Sequence, residues 1–378
     1  MLVPARQAVA SRGGTAGELV LNDLLRWTVE QRGSDLHLKV GSAPHVRIDG
    51  HLVPAPFEPV SARDTEKTAY AIMPKPRADE FAAGNEADFA YSVSGLGRFR
   101  VNVFRQRGSV GVVFRRVLPG TPSFESLGLP SVVRRLAEEP RGMILVTGPT
   151  GSGKTTTIAA MIDHINESRS VNIVTVEDPI EVLHTDKKAI INQREIGTDT
   201  SDYASAMKRV LRQDPDVIFI GEMRDPETVW AALSAAETGH LVLSTLHTTN
   251  ATETVNRIVD FFPPFQQKQV RLTLASSLVG VVSQRLLERA DGKGRVPATE
   301  CLVMTGRIFD RIVDPEQGQE SIEEIIADGE YYGMQTFDQS LFAHYKNGLV
   351  GLRDAMAAAS HPHDFRIALQ QAGLDTAV

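Results

Sequence analysis

Two hydrophobic periods run along this chain, and they divide it. Leu19, Leu21, Leu24, Leu25 and Val29 fall near one face of a helix over residues 18–31, with Asn22 and Asp23 polar between them. Residues 34–40 alternate and predict a strand; residues 45–51 predict a second, entering a turn at Asp49-Gly50. Residues 62–73 predict a helix ended by Pro74 and Pro76. Residues 87–117 are strand-rich. Along 98–105, Phe99, Val101 and Val103 point one way and Arg98, Arg100, Asn102 and Phe104 the other, and 111–117 is a further strand. The expectation is a small α/β domain over 19–118 with an antiparallel sheet. A flexible tail over 1–18, rich in Ala, Gly and Ser, precedes it, and a turn-rich linker over 119–129 follows.

From Pro130 the period changes to an alternation of strand and helix. Residues 143–146 read as a buried strand, and 156–165 as a helix with Ile158, Met161, Ile162 and Ile165 at helical spacing. A strand at 171–177 follows, then a helix at 201–213 with Ser201 as its cap and Met207, Val210 and Leu211 as its apolar face. A strand at 217–221, a helix at 226–237 stopped by Gly239, and a strand at 241–246 complete the series. Such alternation predicts a parallel sheet covered on both faces, so the expected fold class is α/β. Beyond Ala251 the pattern predicts mainly helix, in a second domain over 130–378.

Within that alternation, Gly148-Pro149-Thr150-Gly151-Ser152-Gly153-Lys154-Thr155-Thr156 joins strand to helix in the order G-x-x-x-x-G-K-T. Glycines let the backbone turn tightly and bring its N–H groups against an anion. The new helix aims its positive end at the same point. Lys154 can reach the outer phosphates of a nucleoside triphosphate, and Thr155 can give its hydroxyl to magnesium. The segment predicts nucleoside triphosphate binding.

Composition narrows the remainder. The 378 residues are 42% hydrophobic and 23% charged, with a formal charge of −7, so no global basic field recruits nucleic acid. The single cysteine, Cys301, excludes an internal disulfide and a multi-cysteine zinc site, and fits a reducing cytosol. No apolar run approaches the ~20 residues of a membrane span, and residues 1–17 lack the apolar core of a secretory signal.

Three further stretches carry chemistry. Residues 216–222 form an apolar strand ending in Glu222, placed to hold a metal ion or orient water. Residues 174–181 form another strand with an acidic end, where Glu177 or Glu181 is the candidate base. His240 and His247 flank the strand 241–246, too far apart along an extended chain to share a metal. His247 sits at the strand's C-terminal end, where α/β sites gather, and is a candidate γ-phosphate sensor.

In this order the four blocks resemble the secretion ATPase superfamily: a Walker A loop, an acidic box at 176–181, a Walker B strand with Gly221-Glu222-Met-Arg-Asp225, and a histidine box at 239–248. The chain is most similar to the type IV pilus retraction ATPases, the PilT family. Ser34-Asp-Leu-His-Leu38, Val46-Arg-Ile-Asp-Gly50 and Arg98-Phe-Arg-Val-Asn102 resemble that family's first domain. Ser283-Gln-Arg-Leu-Leu287 and Gly333-Met-Gln-Thr-Phe-Asp338 resemble its C-terminal part. The resemblance implies a PAS-like N-terminal domain, a RecA-like ATPase domain and a homohexamer that binds ATP and Mg2+ between its domains. The motor would act on an inner-membrane pilus platform protein, with a paralogous motor ATPase as a further partner, at the cytoplasmic face of the membrane. Neither nucleic acid nor membrane insertion is expected.

Carried onto this sequence, the resemblance makes Glu222 the catalytic acid, Glu177 the acidic-box residue and His247 the histidine-box residue. Arg98, Arg100 and Arg115 are candidates for the arginines that complete the site. The missing tetracysteine motif and short N-terminus favour retraction over extension. Residues 305–314 depart from the family's pattern, keeping only the apolar spacing of Ile308, Phe309 and Ile312. That departure leaves an accessory retraction motor and an assembly or secretion motor as alternatives. A poorly hydrolysing regulator in a mixed ring is the alternative of another class.

Overall fold

A computed structural model describes residues 20–374 apart from 49, 118, 119 and 317. The predicted tail over 1–18, and Asp49 of the predicted turn, lie outside the described residues. The chain divides into two compact units between residues 119 and 120.

The first unit runs α1 (Leu21–Glu30), β1 (Asp35–Leu38), β2 (His45–Ile48), β3 (His51–Pro54), α2 (Ala62–Ile72), α3 (Lys75–Gly84), β4 (Glu86–Val93), β5 (Gly97–Gln106) and β6 (Ser109–Val117). Its sheet is antiparallel at every pairing, in the order β3-β2-β1-β6-β5-β4. The alternation read along residues 98–105 is realised: Phe99, Val101 and Val103 are buried together with Leu24, Leu36, Phe81 and Phe114. Ser61 starts α2 with a capping box, its hydroxyl accepting from Asp64 N while the Asp64 carboxylate accepts from Ser61 N. Pro74 and Pro76 do end α2, but they also open α3. Proline is tolerated in a first helical turn because the N–H it lacks has no intrahelical acceptor there.

Polar side chains form a row on the other face of this sheet. Arg47 pairs across to Asp35, Asp35 to Arg115, and Arg115 to Arg100, with Arg98 two residues along β5. One buried carboxylate thus serves a cluster of guanidinium groups. Burial alone would raise the Asp35 pKa, but hydrogen bonds from Arg115 and Ser34 outweigh it and hold the carboxyl below its ordinary value.

The second unit runs α4 (Phe124–Leu127), α5 (Ser131–Ala137), β7 (Gly142–Thr147), α6 (Lys154–Ser168), β8 (Asn172–Glu177), β9 (Ile190–Glu195), α7 (Tyr203–Val210), β10 (Val217–Ile220), α8 (Pro226–Glu237) and β11 (Leu241–Leu246). Then come α9 (Ala251–Asp260), α10 (Pro264–Ser277), β12 (Leu278–Glu288), β13 (Arg295–Val303), α11 (Gly306–Val313), α12 (Ile322–Ala327), α13 (Phe337–Lys346), α14 (Leu352–Ala358) and α15 (Pro362–Gln371). The sheet order is β13-β12-β7-β11-β10-β8-β9, parallel except for β13. Both faces are covered. Met143 and Leu145 pack with the α8–α10 side, while Ile144 and Val146 pack with α5 and α6. This is the expected RecA-like arrangement of a parallel sheet between helices.

Two expectations need amendment. The stretch beyond Ala251 is mainly helical, but it also holds β12 and β13, a long antiparallel hairpin, and β12 pairs in parallel with β7. Residues 278–282 read Leu-Val-Gly-Val-Val, buried on both sides, and such a run has no period to separate strand from helix. The cap of α7 is Asp202 rather than Ser201. The Asp202 carboxylate accepts from Ser205 N at 2.6 Å, a charged acceptor at the helix's positive end, and the Ser201 hydroxyl donates to that same carboxylate.

Candidate functional site

Strand β7 is buried along its length and delivers the chain to Gly148. There φ is +141°, and a Cβ would stand 2.4 Å from the backbone oxygen of Gln284 and 2.6 Å from Ser152 Oγ. Only glycine fits. Gly153 caps α6 at φ +94°. The first intrahelical bond runs from Thr157 N to Gly153 O, so the N–H groups of the preceding turn are left for an anion. Pro149, Thr150 and Gly151 are exposed, Thr155 and Thr156 half-buried. The Lys154 ammonium arches back over the loop, donating to Gly148 O at 2.6 Å and Pro149 O at 3.1 Å. Burial draws its pKa down, while the charges of Glu222 and Glu181 pull it back up. Ser152 Oγ is buried with no hydrogen-bond partner.

The register of the parallel strands sets the remaining candidates on the same edge. Thr147 lies opposite Leu246, Ser244 opposite Ile220, and Ile220 opposite Val176, so β7, β11, β10 and β8 end together. Glu222 follows β10 directly after Gly221. Its Oε2 accepts from Arg224 at 2.9 Å (Nε) and 2.7 Å (Nη2), and its Oε1 lies 3.3 Å from His247 Nε2. Asp225, in the same block, is the N-cap of α8. His240 stands at the opposite end of β11, its Nδ1 against Ala235 O, so the two histidines are separated as their spacing required.

Glu177 ends β8 and is 6% exposed. Its Oε1 accepts from Thr175 Oγ1 at 2.6 Å and Gln193 Nε2 at 3.2 Å. Burial pushes its pKa up to about 7 against those hydrogen bonds, and the nearby Glu181 charge adds to the rise. Glu181 itself is exposed on the following loop. That loop is pinned by Glu195, whose Oε2 accepts from Ile180 N, and by Gln193, which also reaches Val182 O and His184 N. Tyr203 brings its hydroxyl to within 2.8 Å of where a Cβ on Gly221 would be. Burial first, then the charges of Asp178, Glu222 and Glu177, raises the pKa of that phenol, opposed by Arg224.

The arginines of the first unit are placed as follows. Arg115 Nε donates to Asp35 Oδ1 at 2.8 Å, Arg98 Nη1 to Ser92 Oγ at 3.5 Å, and Arg100 is exposed opposite Arg115. Sequence reasoning assigned no role to Thr175, Gln193, Tyr203, Arg224 or Gln284. Thr175 had a signal, since residues two apart on a strand share a face with Glu177. Gln193 had none, because β9 was not read as a strand.

Comparison with known proteins extends over nearly the whole chain. Residues 112–331 match the family model described as type II/IV secretion system protein. The type IV pilus retraction ATPase PilT of Pseudomonas aeruginosa is 42% identical over 91% of this chain and 99% of its own length. The type IV pilus ATPase PilU of the same organism is 40% identical over 92% of this chain and 90% of its own. A crystal structure of the pilus retraction motor PilT with bound ADP superposes with a TM-score of 0.84 at 46% identity, covering 92% of this chain and 99% of the other. A likeness that runs through the N-terminal sheet as well as the nucleotide-binding sheet makes this chain a nucleotide-binding ATPase of type IV pili and a member of the PilT family of type II/IV secretion proteins.

Proposed function

We propose that this ATPase assembles as a homohexamer and hydrolyses ATP to drive pilus retraction, and with it twitching motility. Its partner would be an inner-membrane platform protein, and it would work from the cytoplasmic side of that membrane. Among the described residues no helix is long and apolar enough to cross one. The retraction reading is supported by likeness to PilT, which is described as a retraction motor. The site reading rests chiefly on one observation: the parallel register ends β7, which opens into the phosphate loop, and β10, which Gly221 and Glu222 follow, on the same edge of the sheet.

In this reading Lys154 and the backbone N–H groups left free along residues 148–156, where Pro149 has none, bind the phosphates. Among the described residues no group of three or more His, Cys, Asp or Glu side chains is placed to hold a metal. A hydroxyl from Thr155 and a carboxylate from Glu222 nevertheless suit Mg2+, which keeps water and takes its other ligands from phosphate. When bound, magnesium neutralises charge developing on the outer phosphates. Glu222 is the catalytic acid of the Walker B strand. Glu177 is the base that takes a proton from water, and His247, through its contact with Glu222, senses the γ-phosphate. Arg98, Arg100 and Arg115 add positive charge to the phosphates.

A second reading, an accessory motor working beside a paralogous ATPase, is supported by the nearly equal likeness to PilU. The divergent residues 305–314 also support it: on α11 they keep Ile308 and Ile312 buried but present Arg307 to Glu320 and Asp328. The test is magnesium-dependent ATP hydrolysis by the purified protein beside Lys154→Ala and Glu222→Gln, with each gene replacement scored for pilus retraction. Turnover in the parent, near-zero turnover in both variants and hyperpiliated, non-retracting cells are expected. Hydrolysis with retraction intact after deletion would select the accessory reading. A parent protein without turnover would leave only a regulator.

A further inference from the structure

Strand β12 touches the phosphate loop at two glycines. The backbone oxygen of Gln284 closes over Gly148, and the side chain of Leu286 lies at ordinary contact distance from where a Cβ on Gly153 would be. Register explains this. Ser283 lies opposite Thr147, the last residue of β7, and their hydroxyls are 2.9 Å apart, so Gln284 comes level with the start of the loop.

Two residues that meet Gly148 each bury a side-chain polar atom without a partner. One is Ser152 Oγ, at a residue 3% exposed; the other is Gln284 Oε1, at a residue 1% exposed. Buried side-chain polar atoms rarely go unpaired, and two from neighbouring residues are rarer still. Their chemistry is complementary, because a hydroxyl both donates and accepts and a primary amide offers one atom of each kind.

Arg285 points the other way along the strand. Its guanidinium lies 3.9 Å over the ring of Phe337 on α13 and donates to the carbonyl of Ala358 at the end of α14. The backbone of Gln284 therefore meets the phosphate loop while the side chain of the adjacent Arg285 meets the C-terminal helices.

We infer that Gln284 is a positioning residue for the phosphate loop, pairing its amide with the Ser152 hydroxyl when the loop wraps a nucleotide's phosphates. Through Arg285, β12 passes that occupancy to α13 and α14. The inference rests on nucleotide binding at this loop and goes beyond it by naming the strand that reads the bound state. The Ser283-Gln-Arg-Leu-Leu287 block thereby acquires a physical role that the ATPase chemistry does not require of it.

The experiment uses the full chain. ADP affinity is measured by calorimetry for the parent, Gln284→Leu, Ser152→Ala and the double variant, with melting temperature as a control for folding. Each single change is expected to weaken ADP about three- to tenfold, the size of one buried hydrogen bond. The double variant should bind no more weakly than the worse single one, because the two residues act as a pair. Multiplying losses would overturn the pairing.

Amide exchange over residues 352–358 is read in parallel, with and without saturating ADP. Slowing on ADP in the parent, and its loss in Gln284→Leu at saturation, is expected; slowing retained in that variant would overturn the transmission through β12. Gln284→Asn, which keeps the amide on a shorter arm, should restore part of the affinity. An affinity no better than that of the leucine variant would count against the amide. Failure of the parent itself to bind ADP would instead sink the phosphate-loop reading on which the inference stands.

Discussion

Replacing Glu177 by glutamine removes a buried acid while keeping an oxygen that can accept from Thr175 and Gln193. In the folded chain burial pushes the Glu177 pKa up to about 7, from an ordinary value of 4.5. The folded state therefore holds a proton between those two values that the unfolded chain has released. By linkage, stability falls as pH rises through this window, and the full loss is present above about 7. A shift of that size corresponds to roughly 3 kcal/mol. At about 2–4 °C per kcal/mol for a unit of this length, the fall in melting temperature between pH 5 and pH 8 should shrink by roughly 6–12 °C in the glutamine variant. Thermal unfolding at matched protein concentration reads this directly. Hydrolysis should move the opposite way with pH in the parent. A base must be deprotonated to act, so kcat/KM should rise through an acid limb near pH 7. The variant should lose turnover by about 10²–10⁴, the usual worth of a positioned base. Identical pH slopes of melting in parent and variant would refute the burial argument, and near-parental turnover in Glu177→Gln would refute the assignment of the base.

Two further outcomes follow from the geometry. Gly148→Ala should abolish ADP binding in a calorimetric titration, since its Cβ meets a backbone oxygen at 2.4 Å that β12 cannot move aside; parental affinity would mean that the loop and β12 separate freely. Asp202→Ala should cost about 1 kcal/mol in denaturant unfolding and Ser201→Ala only a few tenths, because the carboxylate holds the Ser205 amide; the reverse ranking would return the cap to Ser201.

What could be read from the chain, and what could not, separates along physical lines. The phosphate loop was legible because its requirements are local: glycines where φ is positive, and a strand before a helix. The antiparallel first sheet was legible because its core face alternates with a polar face along β5. Glu177 and Glu181 could not be told apart, since both follow one apolar strand. Burial distinguishes them, and it is set by β10 and β9 on either side of β8. The hairpin β12–β13 was hidden because its strands are buried on both faces and carry no period. Gln193, Tyr203 and Gln284 reach the site from other parts of the sheet or from the helix after it, and no spacing along the chain brings them to Glu177, Gly221 or Gly148.

The position of β7 between β11 and β12 bears on how the protein is made. Its two neighbours leave the ribosome about a hundred and about a hundred and thirty residues after it, by which time the residues of the loop itself are long since outside the exit tunnel. A nascent chain that stops short of residue 284 lacks the strand whose backbone oxygen closes over Gly148. Once β11 has emerged, one edge of the apolar β7 can be paired, but the edge that β12 will fill stays open and must be shielded from other chains until the hairpin has been synthesised.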